Sequence, residues 1–239
     1  MPGAVVVTGG GQGVGRAIAE LLLDRGHPVV VVDLTEPEWS HPALTAVVGD
    51  ASDPGTVSRA ALAADDLAGW VNNAAVFRDA FLHEDPAATL ESIADNLVPA
   101  VVGTAEAVRR FMSAKSPGSI VNVSSHQGRR AVAGALPYST AKAAIEGLTR
   151  ATAVDYGRFG IRANAVALGS IVTERFEGDP RVQGAMHPAR RMGSAAEVAE
   201  AVAWLLSDAA SFVNGAVLPV DGGRAAWGRD PEEKWPTGP

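Results

Sequence analysis

Tyr138 and Lys142 stand four residues apart inside Pro137–Phe159, a stretch with a helical pattern, so their side chains share one helix face. A free phenol titrates near pH ~10 and exchanges protons poorly at neutrality. An ammonium group beside it stabilises the phenolate and lowers that pKa, which makes the pair able to give and take a proton at a substrate oxygen. Tyr/Lys pairs at this spacing are also common on solvated helix faces, so their neighbours must decide. Thirteen residues before Tyr138, the apolar run Ser119–Val123 leads into Ser124 and Ser125. In open α/β sheets ligands bind beyond the carboxyl ends of the strands. A serine placed there can donate to a carbonyl oxygen as negative charge develops on it; taken singly, either serine could equally cap a strand or begin a turn.

A second constellation lies at the N-terminus, where Thr8-Gly9-Gly10-Gly11-Gln12-Gly13-Val14-Gly15 separates an apolar run from an apolar helical pattern. Glycines there let the backbone turn sharply and approach a pyrophosphate, which would rest on the N–H groups and dipole of the helix start. No Gly-Lys-Ser/Thr follows, so this is not a P-loop. About 20 residues on, the second apolar run ends at Asp33, where a carboxylate can accept hydrogen bonds from the adenosine ribose. It would repel a 2′-phosphate, and the loop offers neutral Gln12 rather than a compensating cation, so NAD is expected in preference to NADP. Arg16, which could reach a phosphate, argues the other way, and Asp33 also reads as a plain strand-terminating residue.

The elements that must position these groups alternate. Short β-branched runs occur at Ala4–Val7, Pro28–Val32, Thr45–Val48, Gly69–Asn72, Ser119–Val123, Arg162–Ala167 and Ala216–Val220. Several are apolar on consecutive residues, as expected of strands covered on both faces. Helical patterns lie between them at Val14–Arg25, Pro54–Ala64, a long one reaching Met112, Pro137–Phe159 and Ala195–Ser207. This alternation predicts an α/β fold: a Rossmann-type, doubly wound parallel sheet of about seven strands with helices on both faces. Pro99 falls inside the long pattern and predicts a kink or a late helix start. No repeat or linker divides the chain, so residues 1–223 are read as one domain. Residues 224–239, rich in Pro, Gly and charge, are read as a tail that Trp227 and Trp235 could pin down.

The 239 residues carry a formal net charge of −7 with no basic patch, which excludes nucleic acid and anionic membranes as expected partners. No cysteine is present, which removes thiolate metal sites and thiol nucleophiles, and the five histidines lack metal-ligand spacing, so no metal is expected. With no signal-like N-terminus and no apolar run of membrane-spanning length, the chain reads as cytoplasmic.

Taken together these residues resemble the short-chain dehydrogenase/reductase superfamily, in its single-domain branch. The resemblance runs over about residues 4–223. It is carried by Thr8–Gly15, Asp50, Asn72-Asn73-Ala74-Ala75, Asn96, Ser125, Tyr138 with Lys142, Asn164-Ala165-Val166 and Val220-Asp221-Gly222-Gly223. It implies hydride transfer between a nicotinamide cofactor and a ketone or secondary alcohol, with Tyr138 as general acid and base. Lys142 would hold the nicotinamide ribose and depress the Tyr138 pKa, Ser125 would orient the substrate oxygen, and Asn96 would position a water that relays protons from Lys142. Gly9, Gln12, Gly13, Val14, Gly15, Asp33, Leu34, Asp50, Ala51, Asn73 and Ala74 would bind the cofactor, with Gly169, Ile171 and Thr173 covering its nicotinamide end. A homotetramer or dimer built on paired helices is also implied.

The sequence departs from the family in three places. Leu168-Gly169 replaces the usual Pro-Gly, the segment between Asp50 and Asn72 is short, and the lid Glu174–Arg190 is short and polar. Substrate-pocket candidates are Val76, Phe77, His126, Gln127, Ala135, Leu136 and Ile171, of which Gln127 joins Ser125 and Tyr138 in the expected substrate site. His126 reads more readily as a solvated loop histidine, and Arg129 and Arg130 as an exposed pair rather than an anion trap. The four-residue Tyr–Lys spacing argues against enoyl-reductase chemistry. The remaining alternatives are an NADP(H)-preferring carbonyl reductase and a non-catalytic NAD-binding sensor or scaffold.

Overall fold

The computed structural model describes residues 3–78 and 81–228. Seven parallel strands form one sheet: β1 (Ala4–Thr8), β2 (Val29–Asp33), β3 (Leu44–Val48), β4 (Leu67–Asn72), β5 (Gly118–Ser125), β6 (Ile161–Leu168) and, last in the chain, β9 (Val217–Val220), in the order β3-β2-β1-β4-β5-β6-β9. The inner strands are largely continuous apolar runs because helices cover both faces, whereas the edge strands β3 and β9 are only partly buried. Val6, Val30, Trp70 and Ile120 point to one face, against α2 (Pro54–Ala63) and α3 (Pro86–Ala114). Val5, Val7, Val29, Val31, Val71 and Val121 point to the other, against α1 (Gly13–Asp24) and α6 (Ala195–Leu206). That two-residue alternation is the pleat itself. Strand order reverses between β1 and β4, which opens a crevice at their carboxyl ends, where doubly wound sheets bind ligands.

Helix starts are marked in the sequence. Asp53 accepts from the Gly55 and Thr56 N–H groups with Pro54 at the first helical position, Asp85 does the same for Ala87 and Ala88 before Pro86, and Ser194 and Glu197 form a capping box on α6.

The structure differs from the sequence reading in three ways. α3 does not start late at Pro99; it is one helix of 29 residues that runs through the proline, which leaves one i→i−4 bond unmade. α4 (Leu136–Tyr156) ends sooner than the helical pattern, in a 3₁₀ turn at Gly157–Phe159. The lid region has ordered pieces the sequence did not signal: β7 (Ile171–Val172), just before the lid, pairs with β8 (Gly193–Ser194), just after it, and α5 (Pro180–Gly184) lies within the lid. Among the described residues no helix is long and apolar enough to cross a membrane.

Candidate active site

A cleft of about 1090 Å³ follows the carboxyl ends of the strands, from Asp33 and Asp50 at one end to Gln127 and Arg224 at the other. Each residue expected to bind the cofactor lines it, as do Ser125, Tyr138 and Lys142.

At the first end, β1 turns into α1 through Gly9 (φ +64°) and Gly13 (φ +57°), backbone that L side chains rarely adopt. A Cβ on Gly15 would stand 2.0 Å from the Gly9 carbonyl oxygen, so only glycine fits where the loop closes on the helix. The Thr8 hydroxyl accepts from the Asn73 and Ala74 N–H groups at 3.0 and 3.2 Å, and the Asn73 amide donates to the Thr8 and Gly9 carbonyls. β4 thereby holds the loop. Asp33 accepts from the Gly11 N–H on one carboxylate oxygen and the Leu34 N–H on the other, each at 2.8 Å, so each oxygen keeps capacity for a ribose hydroxyl. Arg16, the cation that argued for a 2′-phosphate, pairs with Glu20 at 2.8 Å and lies over Trp39, whose indole N–H donates to the Gly11 carbonyl. A glycine cradle, a helix start that faces the cleft and the Asp33 carboxylate together fit a dinucleotide.

At the chemical end the last residue of β5, Ser125, is buried, and its hydroxyl is near enough to the Tyr138 phenol to favour the phenolate. It also accepts from the Gln127 N–H at 3.2 Å, which begins the turn His126–Gly128. The Ser124 hydroxyl turns toward α4, donating to the Lys142 carbonyl at 3.2 Å, which separates the two serines by role. Lys142 is buried, with Nζ donating to the Val123 carbonyl at 2.8 Å and lying 5.3 Å from the Tyr138 ring centre. The Phe77 ring also packs against Tyr138, its centre 5.0 Å away. In the protein alone, burial outweighs the depression expected for Tyr138: the phenol is pushed up to about 12, partly offset by Ser125, and burial brings Lys142 down to about 8. The tyrosine is therefore a fully protonated acid at neutral pH. Asn96 is buried behind the cleft, accepting from the Val76 N–H at 3.1 Å and donating to the Ser92 carbonyl at 3.0 Å. It holds the loop after β4, and a relay water would have to use what hydrogen-bonding capacity remains.

Sequence reasoning missed the buried polar chain that ties these strands together. Trp70 donates to Asn72, Asn72 to Asn122 at 2.8 Å, and Asn122 to Thr149 on α4 at 2.9 Å. Asn72 and Asn122 are register partners on adjacent strands, and an amide within each apolar run was the available signal. It also missed His187, which is buried and whose Nδ1 lies 2.9 Å from the Gln183 carbonyl and must therefore be the donor. The bare Nε2 accepts from the Ser170 N–H at 3.0 Å and so fixes the turn after β6. Burial holds this imidazole below the usual histidine range.

Of the pocket candidates, Val76, Phe77, His126, Gln127 and Ile171 line the cleft, whereas Ala135 and Leu136 do not; Val132, Gln183, Met192 and Arg224 join from distant segments. His126 is not a solvated loop residue: it is buried, and burial with the nearby Arg224 pushes it down to about 4. Gln127 accepts from the Ser139 hydroxyl at 3.2 Å. Arg129 is bound to the buried Glu146 at 3.0 Å, and Arg130 donates to the Trp227 carbonyl at 2.8 Å. Arg190 lies over the Trp227 ring, so the start of the tail rests on the body; Trp235 lies outside the described residues. Among the described residues no cluster of acidic or histidine side chains could hold a metal ion.

The family model described as enoyl-(acyl carrier protein) reductase matches residues 9–225. The chain is similar to cis-4-hydroxycyclohexanecarboxylate dehydrogenase of Sinomonas cyclohexanicum, at 40% identity over 92% of this chain and 96% of that protein. It is 34% identical to levodione reductase of Leifsonia aquatica, over 93% of this chain and 94% of that one. Among solved structures, ligand-free aldohexose dehydrogenase of Thermoplasma acidophilum superposes with a TM-score of 0.88 at 30% identity, covering 97% of this chain and 96% of its own.

Proposed function

The chain belongs to the short-chain dehydrogenase/reductase superfamily, the NAD(P)-dependent oxidoreductases that act on CH–OH and carbonyl groups, and on that premise we propose that it interconverts a cyclic secondary alcohol and its ketone using NAD(H). The observation that carries the reading is the convergence of Ser125, Tyr138 and Lys142 on one face of a cleft whose other end is a glycine cradle. Bound nicotinamide would supply the hydride in reduction and accept it in oxidation. Ser125 donates to the substrate oxygen and orients it beside the phenol. Tyr138 gives its proton to that oxygen in reduction and takes it back in oxidation. Lys142, fixed by the Val123 carbonyl, supplies positive charge beside the phenol and a handle for the nicotinamide ribose. Asn96 keeps the loop after β4 in place for both, and residues 1–223 act as the single catalytic unit.

Asp33 supports NAD: a carboxylate at the end of β2, lining the cleft, would repel a 2′-phosphate bound beside it. A ring substrate bearing a carboxylate is supported by the 40%-identical relative named for such a compound. The wall of Val76, Phe77, Val132 and Met192, with Arg224 alongside, offers an apolar surface and a cation in the same cleft. Initial rates with 4-oxocyclohexanecarboxylate test both points. Oxidation of NADH with a higher kcat/KM than NADPH is expected; a preference for NADPH would sink the cofactor assignment.

We also propose a homo-oligomer, a tetramer or dimer. Leu90 and Val101 on α3 and Val154 on α4 are exposed apolar side chains suited to helix pairing. Light scattering at micromolar concentration should return a multiple of the 24.5 kDa chain mass, and a monomer would refute it.

A further inference from the structure

We propose that Glu174, the first residue of the lid segment, is an anionic latch on the cofactor cleft that competes with the dinucleotide pyrophosphate and so sets cofactor affinity and release. This rests on the dinucleotide reading above. The observation is a hydrogen bond across most of the chain: the Gly13 N–H, at the first residue of α1, donates to Glu174 Oε1 at 2.6 Å.

The chemistry of a helix start explains it. The first N–H groups of a helix have no partner within it, and the peptide dipoles leave that end positive. Here the residue before the helix, Gln12, makes no capping bond with its side chain, and the first turn contains no acid. An anion from elsewhere therefore completes the helix, and Glu174 supplies it. A bond from its own backbone N–H, then the Gly13 bond and the neighbouring Arg16 and Arg175, hold the Glu174 carboxyl below the usual carboxylate range, so the group is ionised at neutral pH.

A pyrophosphate bound in the glycine cradle calls on those same N–H groups. One N–H has one hydrogen, and two anions on it would also repel each other. The carboxylate must then give way. Its attachment allows this. Glu174 is exposed and follows β7, a two-residue strand paired with the two-residue β8, so few ladder bonds oppose a shift. Thr173, next to it, has its methyl 3.6 Å from where a Gly13 Cβ would lie, so the lid edge rests directly on the loop. Cofactor entry thus exchanges one anion for another with more oxygens, and departure is eased because Glu174 returns to the N–H.

The test is NADH affinity by fluorescence titration for the wild type, Glu174→Gln and Glu174→Ala, with adenosine as a probe that lacks the phosphates. An exposed charge at a helix terminus has a modest effect, so NADH should bind about 2- to 5-fold more tightly to both variants, with adenosine binding unchanged. Unchanged or weaker NADH binding in the variants would overturn the latch. So would a lower melting temperature with unaltered NADH affinity, which would make Glu174 a helix cap and nothing more. If NADH bound to neither wild type nor variants, the dinucleotide reading itself would fall, a result distinct from equal binding by all three.

Discussion

Replacing Tyr138 with phenylalanine should lower kcat by about 10³-fold or more in both directions while leaving the NADH dissociation constant within about twofold. The phenylalanine ring preserves the packing against Phe77 and leaves Lys142 on the Val123 carbonyl, so the change removes the hydroxyl and little else. What is lost is the proton donor held beside Ser125. The pH dependence should carry a matching signature. With burial pushing the phenol up to about 12, the wild-type acid stays protonated throughout the neutral range, so reduction should not fail there for want of a proton on Tyr138. The nearer titration is that of Lys142, brought down to about 8; as pH rises through it the buried cation loses its charge. Reductive kcat should therefore turn down near that pH. Steady-state rates and NADH titration on the same preparations read all of this. A variant that retained a tenth of wild-type kcat would remove Tyr138 from the chemistry.

The second large effect is expected at Asp33, where Asp33→Asn should shift the kcat/KM ratio of NADH to NADPH by about 30-fold toward NADPH. Two like unit charges about 4 Å apart near a protein surface repel by about 4 kcal/mol at an effective dielectric of about 20. Partial exposure and salt reduce this to about half, and about 1.4 kcal/mol is a factor of ten. Asparagine keeps one acceptor for the Gly11 or Leu34 N–H but offers the other an amide, so some loss of NADH affinity should accompany the gain. Coenzyme kinetics at fixed ionic strength measure the ratio; an unchanged ratio would mean that Asp33 terminates its strand and does nothing to the cofactor.

What the residues declared beforehand, and what they concealed, divide along a physical line. The inner strands were legible because burial on both faces forces consecutive apolar residues, as in Val5-Val6-Val7 and Val29–Val32; the edge strands β3 and β9 are only partly buried and were read from their β-branched residues. The glycine loop and the Ser125, Tyr138 and Lys142 group were legible because they depend on local geometry: a turn without Cβ, a helix repeat, a strand end. The hidden parts depend on contacts distant in sequence. Nothing near Gly13 announces that Glu174 caps its helix, and nothing near Ser170 announces His187. His126 seemed solvated from its loop position; it is buried, and the charge of Arg224, far along the chain, acts on it. A late start at Pro99 was read from the proline alone; α3 instead begins at Pro86, capped by Asp85, and after the proline it is anchored on the sheet by Ala107, Val108 and Phe111. The two-residue strands β7 and β8 are too short to carry any periodicity at all.

The most direct test of the account follows deuterium from NADH labelled at C4 of the nicotinamide to 4-oxocyclohexanecarboxylate in a single turnover, with wild type and Tyr138→Phe compared at equal NADH occupancy. The account predicts deuterium on the carbinol carbon with the wild type, and transfer at least about 10³-fold slower with the variant. Transfer at equal rates in the two proteins, or NADH bound by the wild type with no deuterium delivered, would contradict it.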